Sequence, residues 1–333
     1  MSNAIRRIGY NPGSLLSMKE VLLFSKLADR TMDVDSLWVP ESWGREAFST
    51  LGAISQITNR VRIGTSVVSA FARTPATVAM AATTLDLLSD NRTVIGLGVS
   101  TEAIVEKWHG VKFSKPLQRM QEYVDCLRQM ITGENVDYSG TFFNVQNFKL
   151  LYKPPRRFIP ILMAALNKKM IALSCAIADG VLLYLRPLEE LRRTVAHIKS
   201  ATKNLDRQFE IACVFIGAVS NKEPEKARQR AAKTLAFYIA VGKYYNEFLS
   251  TNGFAPEVHR ITEEYRFNGL DAATKYVSEE MLDSLTISGN SEQCIHSIRR
   301  FYSCGISLPI IQVNPVGDAE TSFKEMLSTF HSA

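Results

Sequence analysis

The sequence predicts an α/β protein, a single (β/α)8 TIM barrel with insertions that takes in residues 1–333. Three observations lead there. Short, almost wholly apolar runs alternate with amphipathic stretches along the chain, and eight such pairs can be counted. Strands buried on both faces by flanking helices read as continuous apolar runs, which is what a closed parallel sheet requires. The chain is also longer than most single cores grow, whereas barrels of this kind run from about 200 to more than about 400 residues as one unit. Composition agrees, since 46% apolar and 22% charged residues are ordinary globular values.

Residues 8–10 form the first strand, followed by a helical pattern over 17–29. The second strand is 36–39, with a helix near 48–57. Residues 61–68 read as the third strand and 75–88 as its helix, opened by Pro75, whose missing N–H costs nothing at a first helical position. The fourth strand is 93–98, with a helix from about 115 to 130. Residues 161–164 and 181–184 are the fifth and sixth strands, enclosing a short helix over 169–177. In the next helix Leu188, Leu191, Val195 and Ile198 share one face, while Arg192, Arg193 and Lys199 lie elsewhere. Residues 211–219 and 309–313 complete the eight.

Two stretches break the alternation. Residues from about 133 to 160 are rich in aromatic and turn residues (Tyr138, Gly140, Phe142, Phe143, Pro154, Pro155) and predict a hairpin excursion. Residues from about 250 to 284, after a long helix over about 223–249, predict a second insertion. Excursions of such length are commonly lids or subunit contacts.

The net charge is +6 and the pI about 9.0, which favours an anionic partner. Basic pairs stand at Arg156–Arg157, Lys168–Lys169, Arg192–Arg193 and Arg299–Arg300. No nucleic-acid module accompanies them, so a phosphorylated small molecule is expected rather than DNA or RNA. For any single pair a solvated basic surface is the simpler explanation. No apolar run reaches the ~20 residues that span a bilayer, and residues 1–10 lack the apolar core of a signal peptide. Cys126, Cys175, Cys213, Cys294 and Cys304 are odd in number and never spaced C-x-x-C. They predict buried thiols in a reducing cytoplasm rather than a disulfide framework or a zinc site. The five histidines show no metal-ligand spacing.

Ligands of such barrels bind at the C-terminal ends of the strands, which directs attention to residues 40–46, 66–73, 98–109, 164–169 and 184–187. Gly96-Leu97-Gly98-Val99-Ser100 starts like a dinucleotide fingerprint, but Thr101 takes the sixth position and the run follows the fourth strand instead of the first. Glycines that let a strand end pack closely against its surroundings explain it better.

The run Arg62-Ile63-Gly64-Thr65-Ser66-Val67-Val68, continuing through Arg73-Thr74-Pro75 to Thr84-Leu85-Asp86-Leu87-Leu88-Ser89 and Asn91-Arg92, resembles the bacterial-luciferase-like superfamily. Gly96 to Ser100, Glu106-Lys107-Trp108-His109-Gly110, Arg119-x-x-Glu122-Tyr123, Pro160-Ile161 to Ala164-Ala165 and Ile177-Ala178-Asp179-Gly180 extend the likeness over nearly the whole chain. Its branch is similar to oxidoreductases that use the deazaflavin coenzyme F420, which include methylenetetrahydromethanopterin reductases and sugar-phosphate dehydrogenases.

The resemblance implies a tricyclic ring in the barrel mouth. Ser66 and Val67 would support it from behind, across a non-proline cis peptide bond. Ser69, Gly98, Ser100 and Thr101 would line its edge, and Ala165, Leu166, Asn167 and Lys168 would meet its side chain. Tyr184 and Arg186 would stand at the phosphate, where arginine suits a bidentate contact. Departures from the family pattern concern Glu41, followed by Ser42 where many relatives have His; Asn167-Lys168, where Gly-Pro is usual; and Thr101-Glu102, where small residues are usual. Asn tolerates the left-handed backbone that Gly provides.

Glu41 could orient the ring or donate a proton, or be a solvated carboxylate at a strand end. Glu102 could serve as a general acid if partly buried, although helix N-termini favour carboxylates on electrostatic grounds alone. Trp43, Trp108 and His109 could wall a substrate cavity, with Trp108 equally suited to core. The expected activity is hydride transfer between the deazaflavin and a small molecule, such as a pterin of the methylenetetrahydromethanopterin kind, by a cytoplasmic homodimer. An FMN-dependent monooxygenase of the same fold and a non-catalytic cofactor-binding barrel are the alternatives. The lost His at Ser42 favours the last.

Overall fold

The computed structural model describes residues 7–42 and 44–331. Its strands are β1 (Ile8–Asn11), β2 (Val34–Val39), β3 (Arg62–Thr65), β4 (Val68–Ser69), β5 (Thr93–Gly98), β6 (Val136–Ser139), β7 (Asn144–Phe148), β8 (Ile161–Ala164), β9 (Gly180–Tyr184), β10 (Glu210–Val219), β11 (Thr286–Gly289) and β12 (Leu308–Val313). The helices are α1 (Met18–Arg30), α2 (Ala47–Ser55), α3 (Pro75–Leu88), α4 (Glu102–Lys107), α5 (Pro116–Met130), α6 (Lys168–Ile177), α7 (Leu188–Thr202), α8 (Pro224–Val241), α9 (Lys243–Leu249), α10 (Ala255–Asn268), α11 (Leu270–Thr274), α12 (Glu279–Leu285), α13 (Ser291–Ser303) and α14 (Ala319–His331). A parallel ring runs β1-β2-β3-β5-β8-β9-β10-β12 and closes back on β1, so the chain is a (β/α)8 barrel.

Helix starts follow local chemistry. Ser17 and Glu20 form a capping box on α1, and Asn290 and Gln293 another on α13. Thr74 caps α3 just ahead of Pro75. Such caps satisfy N–H groups that have no partner within the helix.

The structure corrects the sequence reading in three places. The third strand is two segments, β3 and β4, interrupted at Ser66–Val67. The long helix over 223–249 is broken at Gly242 into α8 and α9; a Cβ at that position would lie 2.6 Å from the Tyr238 carbonyl oxygen. The second excursion holds α10, α11 and α12 and leads into β11, which the sequence reading missed and which pairs with the upper half of β10. The first excursion is the antiparallel β6–β7 hairpin, as expected.

Inside the ring, Trp38, Val94, Leu162, Leu182, Ala212, Val214, Leu308 and Ile310 pack together. Trp38 is wholly buried, and its indole N–H donates to Ser36 Oγ at 2.8 Å. It fits because Gly64 faces it: a Cβ there would stand 2.7 Å from the indole. A second apolar layer lies between the ring and its helices. A third joins α8 to α10 and α12 through Leu235, Ile239, Val258, Ile261, Met281 and Leu285.

The N-terminal rim is closed by ion pairs. Arg7 donates to Asp35 and Glu210, both at 2.8 Å, and Arg62 to the same two carboxylates at 2.6 and 3.1 Å. Burial alone would raise the Asp35 pKa, but Arg62 and Arg7 outweigh it and hold the carboxyl below its ordinary value. Among the described residues no helix is long and apolar enough to cross a membrane.

Gly96 is the tightest point of the ring, since a Cβ there would fall 1.8 Å from the Thr65 carbonyl oxygen. Gly96→Ala should therefore destabilise the protein by about 3 kcal/mol, read as a lower urea midpoint at unchanged slope. An unchanged midpoint would show that β3 and β5 can separate freely.

Candidate active site

The strands converge on a mouth at their C-terminal ends. By the alternation of each strand and the pairing registers, Asn11, Gly98, Ala164, Tyr184 and Gln312 follow the inward-facing core residues at this level. The floor on the β5–β8 side is thus made of small residues. Polar but uncharged side chains stand elsewhere around it.

The β3–β4 interruption builds one wall. The Ser66–Val67 peptide bond is cis, as the family resemblance implies. Thr65 Oγ1 donates to the Gly96 carbonyl at 2.7 Å and accepts from the Gly96 N–H at 2.9 Å. Val67 lies over Gly98, where a Cβ would come within 2.6 Å of its methyl group. Ser66 N–H donates to the Val39 carbonyl, and Asn11 Nδ2 donates to Ser66 Oγ at 2.9 Å. Ser69 is buried, and its Oγ accepts from Phe71 N–H. The two glycines therefore let the third strand's interruption sit down onto the fourth.

Beyond Gly98, Ser100 takes a left-handed conformation (φ 61°), and Thr101 caps α4 through Ile104 N–H. Glu102 opens α4 and is exposed, so the partial burial that a general acid would want there is missing. Trp108 is 55% exposed at the end of the same helix, beside exposed His109. That position makes Trp108 a surface residue instead of core. Trp43 lies outside the described residues.

After β8, Ala165 is buried, Leu166 half-buried, and Asn167 caps α6 by accepting from Met170 N–H at 2.9 Å. Lys168 and Lys169 are exposed in the first turn of α6, where free N–H groups and positive charge together suit an anion.

Glu41 stands two residues past β2. Arg73 grips it with Nε and Nη2 at 2.9 and 2.8 Å, and Ala47 N–H donates to it at 3.0 Å. Arg73 also meets Glu46, the cap of α2. The carboxylate is thereby engaged within the protein. Its partner is remote in sequence, so spacing alone could not reveal the pair.

Arg186 is 1% exposed. Its Nη1 donates to both Glu190 carboxylate oxygens at 2.7 Å and to Thr194 Oγ1 at 3.2 Å. Its Nη2 donates to the carbonyls of Ala165 and Leu166. Phe248 of α9 lies 4.9 Å from the guanidinium. Only Nε is left without a partner. The structure thus turns Arg186 toward the protein itself: it shapes the loop after β8 instead of presenting a free fork to a phosphate.

Tyr184 Oη donates to Gln312 Oε1 at 2.7 Å, and its ring meets Tyr238 and Tyr245 edge-on at 5.2 and 5.6 Å. Burial raises its phenol well above the ordinary tyrosine pKa and keeps it protonated. Sequence reasoning missed Asn11, Gln312, Tyr238 and Tyr245. For Gln312 a signal existed, a polar side chain within an otherwise apolar eighth strand.

The inward residues on the β5–β8 side are small, the flanking groups include neutral donors and acceptors, and the basic start of α6 adjoins them. The fold defines the class as a (β/α)8 barrel, with these groups gathered at the C-terminal ends of its strands. The model of the luciferase-like monooxygenase family matches residues 13–308, and the chain belongs to that family. A Mycobacterium tuberculosis protein carrying the name coenzyme F420-dependent oxidoreductase is 29% identical over 304 residues, covering 83% of this chain and 86% of its own. The 5,10-methylenetetrahydromethanopterin reductase of Archaeoglobus fulgidus is 27% identical over 308 residues, covering 90% of each. The solved coenzyme F420-dependent tetrahydromethanopterin reductase of Methanopyrus kandleri shares the fold with a TM-score of 0.83, at 18% identity and 97% coverage of both chains.

Removing Arg186 would strand a mostly buried Glu190. Arg186→Met should cost about 3–5 kcal/mol of stability. The Arg186→Met/Glu190→Met pair should cost clearly less than the two single changes added together, as measured by a double-mutant cycle in urea. Strict additivity would show that the ion pair does not hold the loop.

Proposed function

We propose that this chain is a coenzyme F420-dependent oxidoreductase that moves a hydride between the deazaflavin and a small molecule. The observation that carries the reading is the β3–β4 interruption at the strand ends, where Val67 packs over Gly98 beside Ala164, next to the basic start of α6. Ser66 and Val67 would back the ring, with Ser69, Gly98, Ser100 and Thr101 along its edge. Ala165, Leu166, Asn167 and Lys168 would follow its acidic side chain. The bound coenzyme supplies the hydride chemistry; the protein supplies position and electrostatics. In this reading Arg186 acts from the protein side, by holding the carbonyls of residues 165 and 166 away from the tail. Glu41 sets the backbone around the mouth through Arg73 and Ala47, and Glu102 stands at the rim. The pterin reductases among the relatives make a reduced pterin the first substrate to try.

An FMN-dependent monooxygenase is the competing reading. FMN ends at one phosphate, whereas the deazaflavin continues into further acidic groups that would meet Lys168 and Lys169. Deazaflavin should therefore bind at least about tenfold more tightly than FMN, a difference of ~1.4 kcal/mol, when both are titrated by fluorescence quenching. Equal or reversed affinities would favour the monooxygenase, and loss of both the non-catalytic barrel.

We also infer a homodimer. Met80, Leu87 and Leu88 of α3 are about half exposed, and Leu151 is fully exposed. Tyr152, next to Leu151, bonds Thr83 and Thr84 of the same helix. An apolar face of this sort suits a twofold contact. Light scattering at micromolar concentration should give twice the 37.2 kDa chain mass; a monomer mass would reject the dimer.

A further inference from the structure

We propose that the wall of the mouth opposite the β3–β4 interruption receives an uncharged, hydrogen-bond-accepting end of the substrate, with Tyr184 as the donor that touches it and Gln312 as the residue that positions Tyr184. This deepens the deazaflavin reading and rests on it.

Place in the ring comes first. Counting around the barrel, β10 lies four strands from β3 in either direction, flanked by β9 and β12. A ring backed by the β3–β4 interruption therefore turns its open face toward β9, β10 and β12. Their inward side chains near the mouth are Tyr184, Val214 and Gln312. The Tyr184–Gln312 hydrogen bond bridges β9 to β12 over β10. It is the polar feature that faces the reacting side.

Geometry fixes the phenol. Tyr238 and Tyr245 meet the Tyr184 ring at interplanar angles of 86° and 87°, so the ring is walled, and its hydroxyl is held by Gln312 and Tyr238. Tyr184 donates to an amide oxygen in the resting protein. A carbonyl, carbinol or ring-nitrogen acceptor on the substrate can take over that donor bond.

Charge narrows the class. The nearby cation, Arg186, is neutralised by Glu190 and by two backbone carbonyls. At the rim, the Glu102 carboxylate acts on the Tyr244 phenol of α9 and raises its pKa after burial has done so, so negative charge already stands there. A phosphate brought to this wall would lose its water without gaining a free cation, a transfer that costs heavily. An uncharged group loses little and gains the phenol.

The test uses the full chain loaded with coenzyme F420. Acetone and 6-methyltetrahydropterin serve as uncharged probes and glucose 6-phosphate as the anionic one, each titrated against the fluorescence of the bound coenzyme. At least one uncharged probe should bind, and glucose 6-phosphate should bind at least about tenfold more weakly. Tyr184→Phe should weaken the uncharged probe about tenfold, as loss of one hydrogen bond does, while leaving coenzyme affinity unchanged. Gln312→Met should weaken it less. With any probe that turns over, Tyr184→Phe should raise KM. Preference for glucose 6-phosphate, failure of both uncharged probes on a coenzyme-loaded protein, or indifference of the bound probe to Tyr184→Phe each overturns the assignment. Failure of the wild-type chain to bind the coenzyme sinks the deazaflavin reading itself and this one with it, and the preceding coenzyme titration separates that case from the others.

Discussion

The contact between Thr65 and Gly96 governs how the mouth is built. Thr65 exchanges two hydrogen bonds with Gly96 through its hydroxyl, and no side chain larger than hydrogen fits between Gly96 and the Thr65 carbonyl. Two residues on, Val67 rests over Gly98 in the same manner. β3 can therefore stop, turn and resume as β4 while still paired with β5. From that follow the position of Ser66 against Asn11, the burial of Ser69 and the small-residue floor. Gly64 does the same service one layer deeper, by admitting Trp38 to the centre of the ring. Glycines placed on inward positions trade side-chain packing for close backbone approach, and here they mark both the filled and the open level of the barrel.

Charge is distributed to match. At the N-terminal rim Arg7, Asp35, Arg62 and Glu210 form a closed ionic ring that is partly shielded from water. At the mouth the inward polar groups are amides, hydroxyls and a protonated phenol. Two buried or half-buried charges near it are paired within the protein, Glu41 with Arg73 and Arg186 with Glu190. A site of this composition stabilises a ligand through oriented dipoles and shape, and leaves the net positive charge of the chain to its outer surface and to the start of α6.

How far this was legible in the sequence differs by element. All eight ring strands were found, because double burial leaves an apolar run that survives without any partner information; Thr93–Gly98 and Ile161–Ala164 were placed to the residue. α3 was placed just as closely, through Thr74 and Pro75. β11 escaped, since Thr-Ile-Ser-Gly is short and its strand character comes from β10, some seventy residues earlier. The break at Gly242 escaped too, because a lone glycine within a helical pattern is ambiguous until the neighbouring turn is seen. In the site, the residues on the third, fourth and fifth strands were locatable by motif. The commitment of Glu41 was not, because an ion pair with Arg73, thirty-two residues on, leaves no periodic trace; Arg186 and Glu190 stand four apart, but nothing in the spacing showed that the pair would be buried.

Arg186 also connects parts of the mouth that would otherwise be independent. Through Ala165 and Leu166 it holds the loop leading to α6, through Glu190 it is tied to α7, and through Phe248 it touches α9. Tyr245 lies three residues before Phe248, on the same face of that short helix, and it packs on Tyr184. α9 is bounded by Gly242 and, beyond one further turn, by Gly253 with φ 105°. The loop after β8 and the wall around Tyr184 thus share one buried cation. Arg186 accordingly directs most of its donors to the protein itself, to Glu190, Thr194 and the carbonyls of residues 165 and 166.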